Sequence, residues 1–298
     1  MKNAMNNDSQ VIVSKKERLH WLDYSKTIGM YLVVLGHVKD NTLLLKGIIY
    51  SFHMPLFFFL SGFLHKLRIG GGKFCVSLVK QLVIPFFIFN GLTLLTKIKD
   101  IQTNGLIVTV YDFLKDFFES TFLGDFPVGP TWFILSLIWM KIIMFLLLKI
   151  REDFLSLLII EIIWITALTL YYTLDFPQIP NYFHLGSSLL GFPFYLAGFL
   201  LKLKYKETVA WIKRKRWTIG LIFVFYIIGF LFNGFASLEG CKVGNYILLM
   251  YLTGLCGTLL TIVSTHLLKR PNKWVYVLSC GMIVILCTHG FILNMTIN

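Results

Sequence analysis

The sequence predicts an all-α integral membrane protein, a polytopic bundle of about nine to ten membrane-spanning helices with a cytoplasmic N-terminus. Three observations predict it. Of the 298 residues, 56% are hydrophobic and 14% charged, against about 25% charged in a usual soluble domain. The mean hydropathy is +0.73. Apolar runs long enough to span a bilayer recur along the whole chain. Finally, the basic residues fall between those runs on alternate sides.

Taken in order, the runs occupy about 22–45, 47–65, 82–96, 131–149, 154–173, 185–201, 218–235, 245–265 and 274–293. Of the 28 Lys and Arg residues, 21 fall on the inner segments if the N-terminus is inside, six on the outer ones, and Lys141 within a span. Positive charge collects on the cytoplasmic side, so this bias sets the orientation. It also accounts for the net charge of +13 without nucleic acid. The chain therefore divides into a cytoplasmic segment, 1–21, and one membrane domain, 22–298. No removable signal peptide is read in the first twenty residues, which are polar and basic. The five cysteines form neither a disulfide framework nor metal-ligand spacing, and no metal is expected.

The first run is unusual because it carries Asp23, Lys26 and His37. At roughly 100° per residue, Lys26 and His37 lie about 20° apart on the helical projection, and Asp23 about 40° from His37. One stripe therefore holds all three, with Met30 and Val33 between them and some 16 Å of rise from Lys26 to His37. An ionisable group within a span costs about 2.5 kcal/mol or more and marks a functional site by default. The bland reading is a buried histidine bonded across a helix interface.

The second run opens Ser51-Phe52-His53-Met54-Pro55 and closes Ser61-Gly62-Phe63-Leu64. Pro55 removes a backbone donor, and Gly62 permits close helix approach. A turn centred near residue 45 puts His37 and His53 at one depth, in the outer half, and His289 in the last run reaches a comparable level. His184 opens the sixth run at its outer end. His20, His65 and His266 fall at the inner interface as half-solvated residues. The outer stretch 97–130 holds Phe113, Phe117 and Phe118 at spacing that suits an amphipathic helix on the membrane surface. The inner stretch Lys202 to Trp217 reads as a basic topology anchor with interfacial aromatics, and Gly70-Gly71-Gly72 as a turn.

Neutral imidazole takes a proton from a hydroxyl at neutral pH, so His37 suits a general base in acyl transfer. Lys26 and Asp23 sit where an anionic donor from the cytoplasm would enter. No phosphate-binding glycine loop, nucleophile elbow or carboxylate pair is present. On the residues alone a transporter fits almost as well as an enzyme.

The motifs Leu22-Asp23-Tyr24-Ser25-Lys26, ten residues, Gly36-His37 and then Ser51-Phe52-His53-Met54-Pro55-Leu56-Phe57-Phe58-Phe59-Leu60-Ser61-Gly62-Phe63 resemble the membrane acyltransferase type 3 family. The branch resembled is the fucose 4-O-acetylase-like, or cell-surface polysaccharide O-acetyltransferase, group. Weaker echoes are Lys80 to Pro85, Thr131-Trp132-Phe133, Phe194 to Lys202 with Gly198, and Leu286 to His289. The resemblance implies transfer of an acyl group, usually acetyl, from cytosolic acyl-CoA (acetyl-CoA) to a hydroxyl of a cell-surface or lipid-linked glycan at the inner (plasma) membrane of the cell. It makes His37 the catalytic residue and Lys26 its basic partner, with Asp23, His53, Ser61, Trp132 and His289 on the substrates. Family members usually have ten or more spans. This chain ends nine residues after His289, so either the last helix is missing or the final return span is dispensable. The alternatives are a carrier or flippase for a lipid-linked sugar, and an inactive scaffold of glycan assembly.

Overall fold

In lipid, a backbone N–H or C=O finds no water, so each apolar run closes its own hydrogen bonds as a helix. The computed structural model of the chain describes residues 18–38, 42–92, 98–123, 131–174, 176–177, 179–268 and 272–296. The expected inner segment up to residue 17, Lys39 and Asp125 lie outside them. Of the described residues 83% are helical and none lies in a strand, with one isolated bridge between Ser237 and Lys242.

Among the described residues fourteen α-helices follow one another: α1 (His20–Gly36), α2 (Leu43–Phe63), α3 (Gly71–Leu78), α4 (Ile84–Leu92), α5 (Ile98–Asn104), α6 (Leu106–Leu123), α7 (Trp132–Ile150), α8 (Phe154–Thr173), α9 (Leu185–Leu203), α10 (Tyr205–Arg214), α11 (Trp217–Asn233), α12 (Ile247–His266), α13 (Lys273–Cys280) and α14 (Met282–Thr296). A π-helical segment, Val79–Val83, joins α3 to α4. Its cause is Pro85, which cannot donate to the Gln81 carbonyl four residues earlier, so the ladder slips by one residue.

Among the described residues, six stretches are long and apolar enough to cross a membrane: Leu43–Phe63, Gly71–Leu92, Trp132–Ile150, Phe154–Thr173, Tyr182–Leu203 and Ile247–His266. A seventh arises if α10 and α11, bent by 97°, are taken together. The other expected runs are helical but shorter or broken. α1 and α11 have 17 residues each. The last run divides at Gly281 into pieces of 8 and 15 residues.

The bundle is built around α2 and α9. Helix α2 is buried without interruption from His53 to Leu60, and α9 from Leu190 to Leu196, the pattern of helices enclosed on every side. A Cβ on Gly62 would run into the Tyr195 carbonyl, and one on Gly198 into the Phe59 carbonyl. Small residues thus let the two backbones touch, as membrane packing favours. Helices α7 and α8 cover α9, α11 and α12 cover α2, and α1 lies on α2 among α12, α13 and α14. Helix α8 turns Leu155, Ile159, Ile162 and Ile163 outward.

Three boundaries differ from the sequence reading. The third span begins at Gly71 rather than near residue 82, so Gly71 and Gly72 open α3 instead of forming a turn. α1 ends at Gly36 rather than near residue 45, and Thr42 caps α2 by accepting a hydrogen bond from the Leu45 N–H. His37 is consequently the C-cap of α1, and exposed, not a buried residue within a longer span. The expected surface helix is two helices. Gly105, with φ of +85°, separates α5 from α6. On α6, Ile107, Tyr111, Leu114 and Phe118 form an exposed apolar stripe, while Phe117 is buried beside Phe86 and Phe87.

Candidate active site

The stripe predicted along α1 packs against the broken pair α13–α14, with α2 beside its far end. Near its start, Ser279 Oγ donates to Asp23 Oδ1 at 2.7 Å. The Arg18 guanidinium grips the same carboxylate, Nε to Oδ2 at 2.6 Å and Nη2 to Oδ1 at 3.0 Å. Arg18 also lies 3.9 Å from the centroid of the Tyr276 ring. One turn on, Thr27 Oγ1 donates to the Val275 carbonyl at 3.2 Å. Lys26 is half-buried and within electrostatic reach of Asp23 and Arg18. Beside this end opens a cleft of about 400 Å³ whose walls include Arg18, His20, Asp23, Tyr24 and Lys273.

At the other end three histidines converge. The rings of His37 and His289 stand 4.7 Å apart, edge to face. His53 lies within electrostatic reach of both. Tyr50 lies between, 6.1 Å from His37 and 5.0 Å from His53 by ring centroid. His53 and His289 are buried, each 3% exposed, whereas His37 is exposed.

All three rings are oriented in the same way. Nδ1 bonds a carbonyl of the ring's own helix: His37 to Val33 at 2.8 Å, His53 to Ile49 at 2.7 Å and His289 to Leu286 at 2.7 Å. A carbonyl only accepts, so each Nδ1 carries a proton, and in its neutral form each ring presents an Nε2 lone pair. That is the tautomer a base at Nε2 requires. In His289 this Nε2 is buried without a protein partner. Hydroxyl donors are what such a group binds.

The remaining predicted site residues lie elsewhere. Trp132 packs in a separate aromatic group with Phe58, Phe133 and His184. Ser61 is half-buried on α2, eight residues past His53 and away from the histidines. Of the boundary histidines, His65 and His266 have definite partners. His266 stacks on Trp21 and bonds Tyr205. His65 is 4% exposed, not half-solvated, with Nδ1 2.7 Å from the Tyr195 hydroxyl.

Sequence reasoning missed Tyr50, Ser279 and Arg18. Tyr50 had a signal, since it precedes His53 by three positions and shares its face. Arg18 entered only as a topology charge, and Ser279 had no signal.

A family model described as an acyltransferase domain, that of the type 3 membrane acyltransferases, matches residues 19–298. No curated protein and no solved structure matches the chain.

Proposed function

The chain belongs to the membrane acyltransferase type 3 family, and from that premise we propose that it is an O-acetyltransferase. Its donor is cytosolic acetyl-CoA, its acceptor a hydroxyl of a cell-surface or lipid-linked glycan, and its setting the inner (plasma) membrane. The observation that carries this reading is the convergence of His37, His53 and His289 in one tautomer, at one end of a stripe whose other end meets a basic cleft.

In the proposed reaction the acceptor O–H gives its proton to His37 Nε2 as its oxygen attacks the thioester carbonyl. The C–S bond breaks, CoA leaves as the thiol with a proton from the imidazolium, and His37 returns to its neutral form. Positioned proton transfer of this kind contributes typically 10²–10⁴-fold. His289 Nε2, lacking a protein donor, would accept from a neighbouring glycan hydroxyl and orient the sugar. Tyr50 and His53 hold the wall behind it. The acyl donor would enter by the cleft between α1 and α13, with Lys26 drawing its anionic portion along the stripe toward His37. Arg18 and Ser279 occupy Asp23, so its share is to fix Lys26 and the start of α1.

Family membership does not favour a carrier for a lipid-linked sugar. The test is to supply membranes bearing the chain with acetyl-labelled acetyl-CoA. Label on the glycan, lost in His37→Ala, is the expected result. Sugar translocation without any transfer of label would replace the proposal with the carrier.

A further inference from the structure

A second concentration of positive charge lies across α2 from the α1 stripe. Its walls come from the segment after α2, from α3, from the π-helical segment and from α7, and they include His65, Lys66, Ser77, Gln81 and Lys141 around a pocket of about 70 Å³. α1 packs instead on α2, α12, α13 and α14.

No carboxylate lines this pocket. Lys66 and Lys141 act on each other as like charges, and Lys141 and Lys202 both act on His65. The Lys202 ammonium donates to the His65 carbonyl. Glu152, on the α7–α8 turn, bonds Arg68. Burial first, and then the charges of Lys141 and Lys202, push the His65 imidazole down to about 3, so its ring stays neutral. Lys141 starts from the middle of α7, where a cation in a span costs about 2.5–3.5 kcal/mol. Its long stem reaches the pocket as a snorkelling side chain does. Such a cluster is incomplete without an anion.

Size and position identify that anion. One water needs about 10–15 Å³, so about 70 Å³ takes a single phosphate-sized group and not a nucleotide. The pocket opens beside the end of α2 and the start of α3, next to Leu64, Ile69 and Phe74, and Lys141 reaches it from the middle of α7. Basic pockets between helices at this level bind anionic lipid headgroups. We propose that this pocket holds the phosphodiester headgroup of an anionic phospholipid from the leaflet on the N-terminal side. Lys66 and Lys141 neutralise the phosphate, Gln81 and Ser77 donate to its oxygens, and the apolar wall carries the first carbons of the lipid. The π-helical turn forced by Pro85 is what offers Gln81. The lipid thereby ties α7 to the α2–α3 connection, independently of the acyl-transfer reading.

The full chain is reconstituted in nanodiscs of phosphatidylcholine, with and without phosphatidylglycerol. Acylation of Lys66 by an amine reagent is then measured relative to the exposed Lys73 on α3. Phosphatidylglycerol should protect Lys66 selectively, and Lys141→Gln should abolish that protection. Because Lys141 is half-buried, the exposed Lys66→Gln provides a second route: it should weaken retention of phosphatidylglycerol through detergent purification by about tenfold, the scale of one charge-assisted hydrogen bond. Equal labelling of Lys66 in both bilayers, or unchanged lipid retention in Lys66→Gln, overturns the proposal. So does protection that appears only when coenzyme A is added to phosphatidylcholine discs, which would give the pocket to a soluble phosphorylated ligand.

Discussion

The two ends of α1 carry ionisable groups in opposite conditions, although they belong to one stripe on one helix. At the beginning, Asp23 receives three hydrogen bonds from Arg18 and Ser279. At the far end, each imidazole is held only through Nδ1 and leaves Nε2 toward the site. A carboxylate with its lone pairs occupied positions its neighbours. A base whose one lone pair is open is ready to receive a proton. On the proposed reading, chemistry belongs to the second end and alignment to the first. Breaking each end should therefore harm different quantities.

The largest effect is expected from His37. His37→Ala should lose roughly 10²-fold or more in acetyl transfer, with insertion and unfolding temperature unchanged because the ring is exposed. Inserting one Ala between Met30 and Val33 rotates Lys26 by about 100° against His37 and should be equally severe. An active, normally inserted His37→Ala protein would remove the distinction between the ends altogether. Next come the buried rings. His53→Ala should lower turnover severely. His289→Ala should act mainly on acceptor KM, since its Nε2 awaits a hydroxyl. Wild-type constants in both variants would make them ordinary core histidines.

The clamp end should show the reverse pattern. Arg18→Ala leaves the Asp23 carboxylate short of two bonds at a site 7% exposed. About 1–3 kcal/mol of stability is at stake, at the lower end because the Arg18 side chain is itself 46% exposed. Thermal unfolding should register the loss, while kcat stays within a few fold. A variant of normal stability whose turnover collapses would move Asp23 and Arg18 into the chemistry.

Membrane sidedness decides which end meets the donor. A Cys at Ser120 should react with an impermeant reagent in intact cells and one at Thr208 should not. The opposite labelling would place the histidine end inside and invert the proposed route.

Much of this arrangement was legible beforehand, for different reasons. Helical periodicity alone brought Asp23, Lys26 and His37 onto one face, since the projection depends on spacing and not on partners. Depth arithmetic brought His53 and His289 to His37 even though the turn was misplaced. Helix α1 stops at Gly36, nine residues before the expected turn, because Thr42 caps the next helix; hydropathy cannot see a cap. The break at Gly281, which forms part of the α13–α14 surface facing Asp23, was hidden inside an apolar run. His65 was misjudged because position near a membrane surface says nothing of burial, which here depends on Tyr195 and Lys202 from α9.

The smallest effect should come from Lys26→Arg. Lys26 is half-buried beside Asp23, Arg18 and Cys280, so its influence is mainly the field of one positive charge. Arginine keeps that charge, and the motif resembled in this stretch accepts either cation. The planar guanidinium does cost something, because a fork fits differently from a compact ammonium. A change of a few fold in donor KM, with kcat preserved, is therefore expected. Lys26→Gln keeps much of the side chain's length and polarity but loses the charge, and should fail where arginine succeeds. Measuring acetyl-CoA KM and kcat for the two variants side by side isolates the charge. If glutamine performs as well as arginine, Lys26 is only a spacer between Asp23 and Met30, and the positive end of the stripe has no part in drawing the donor toward His37.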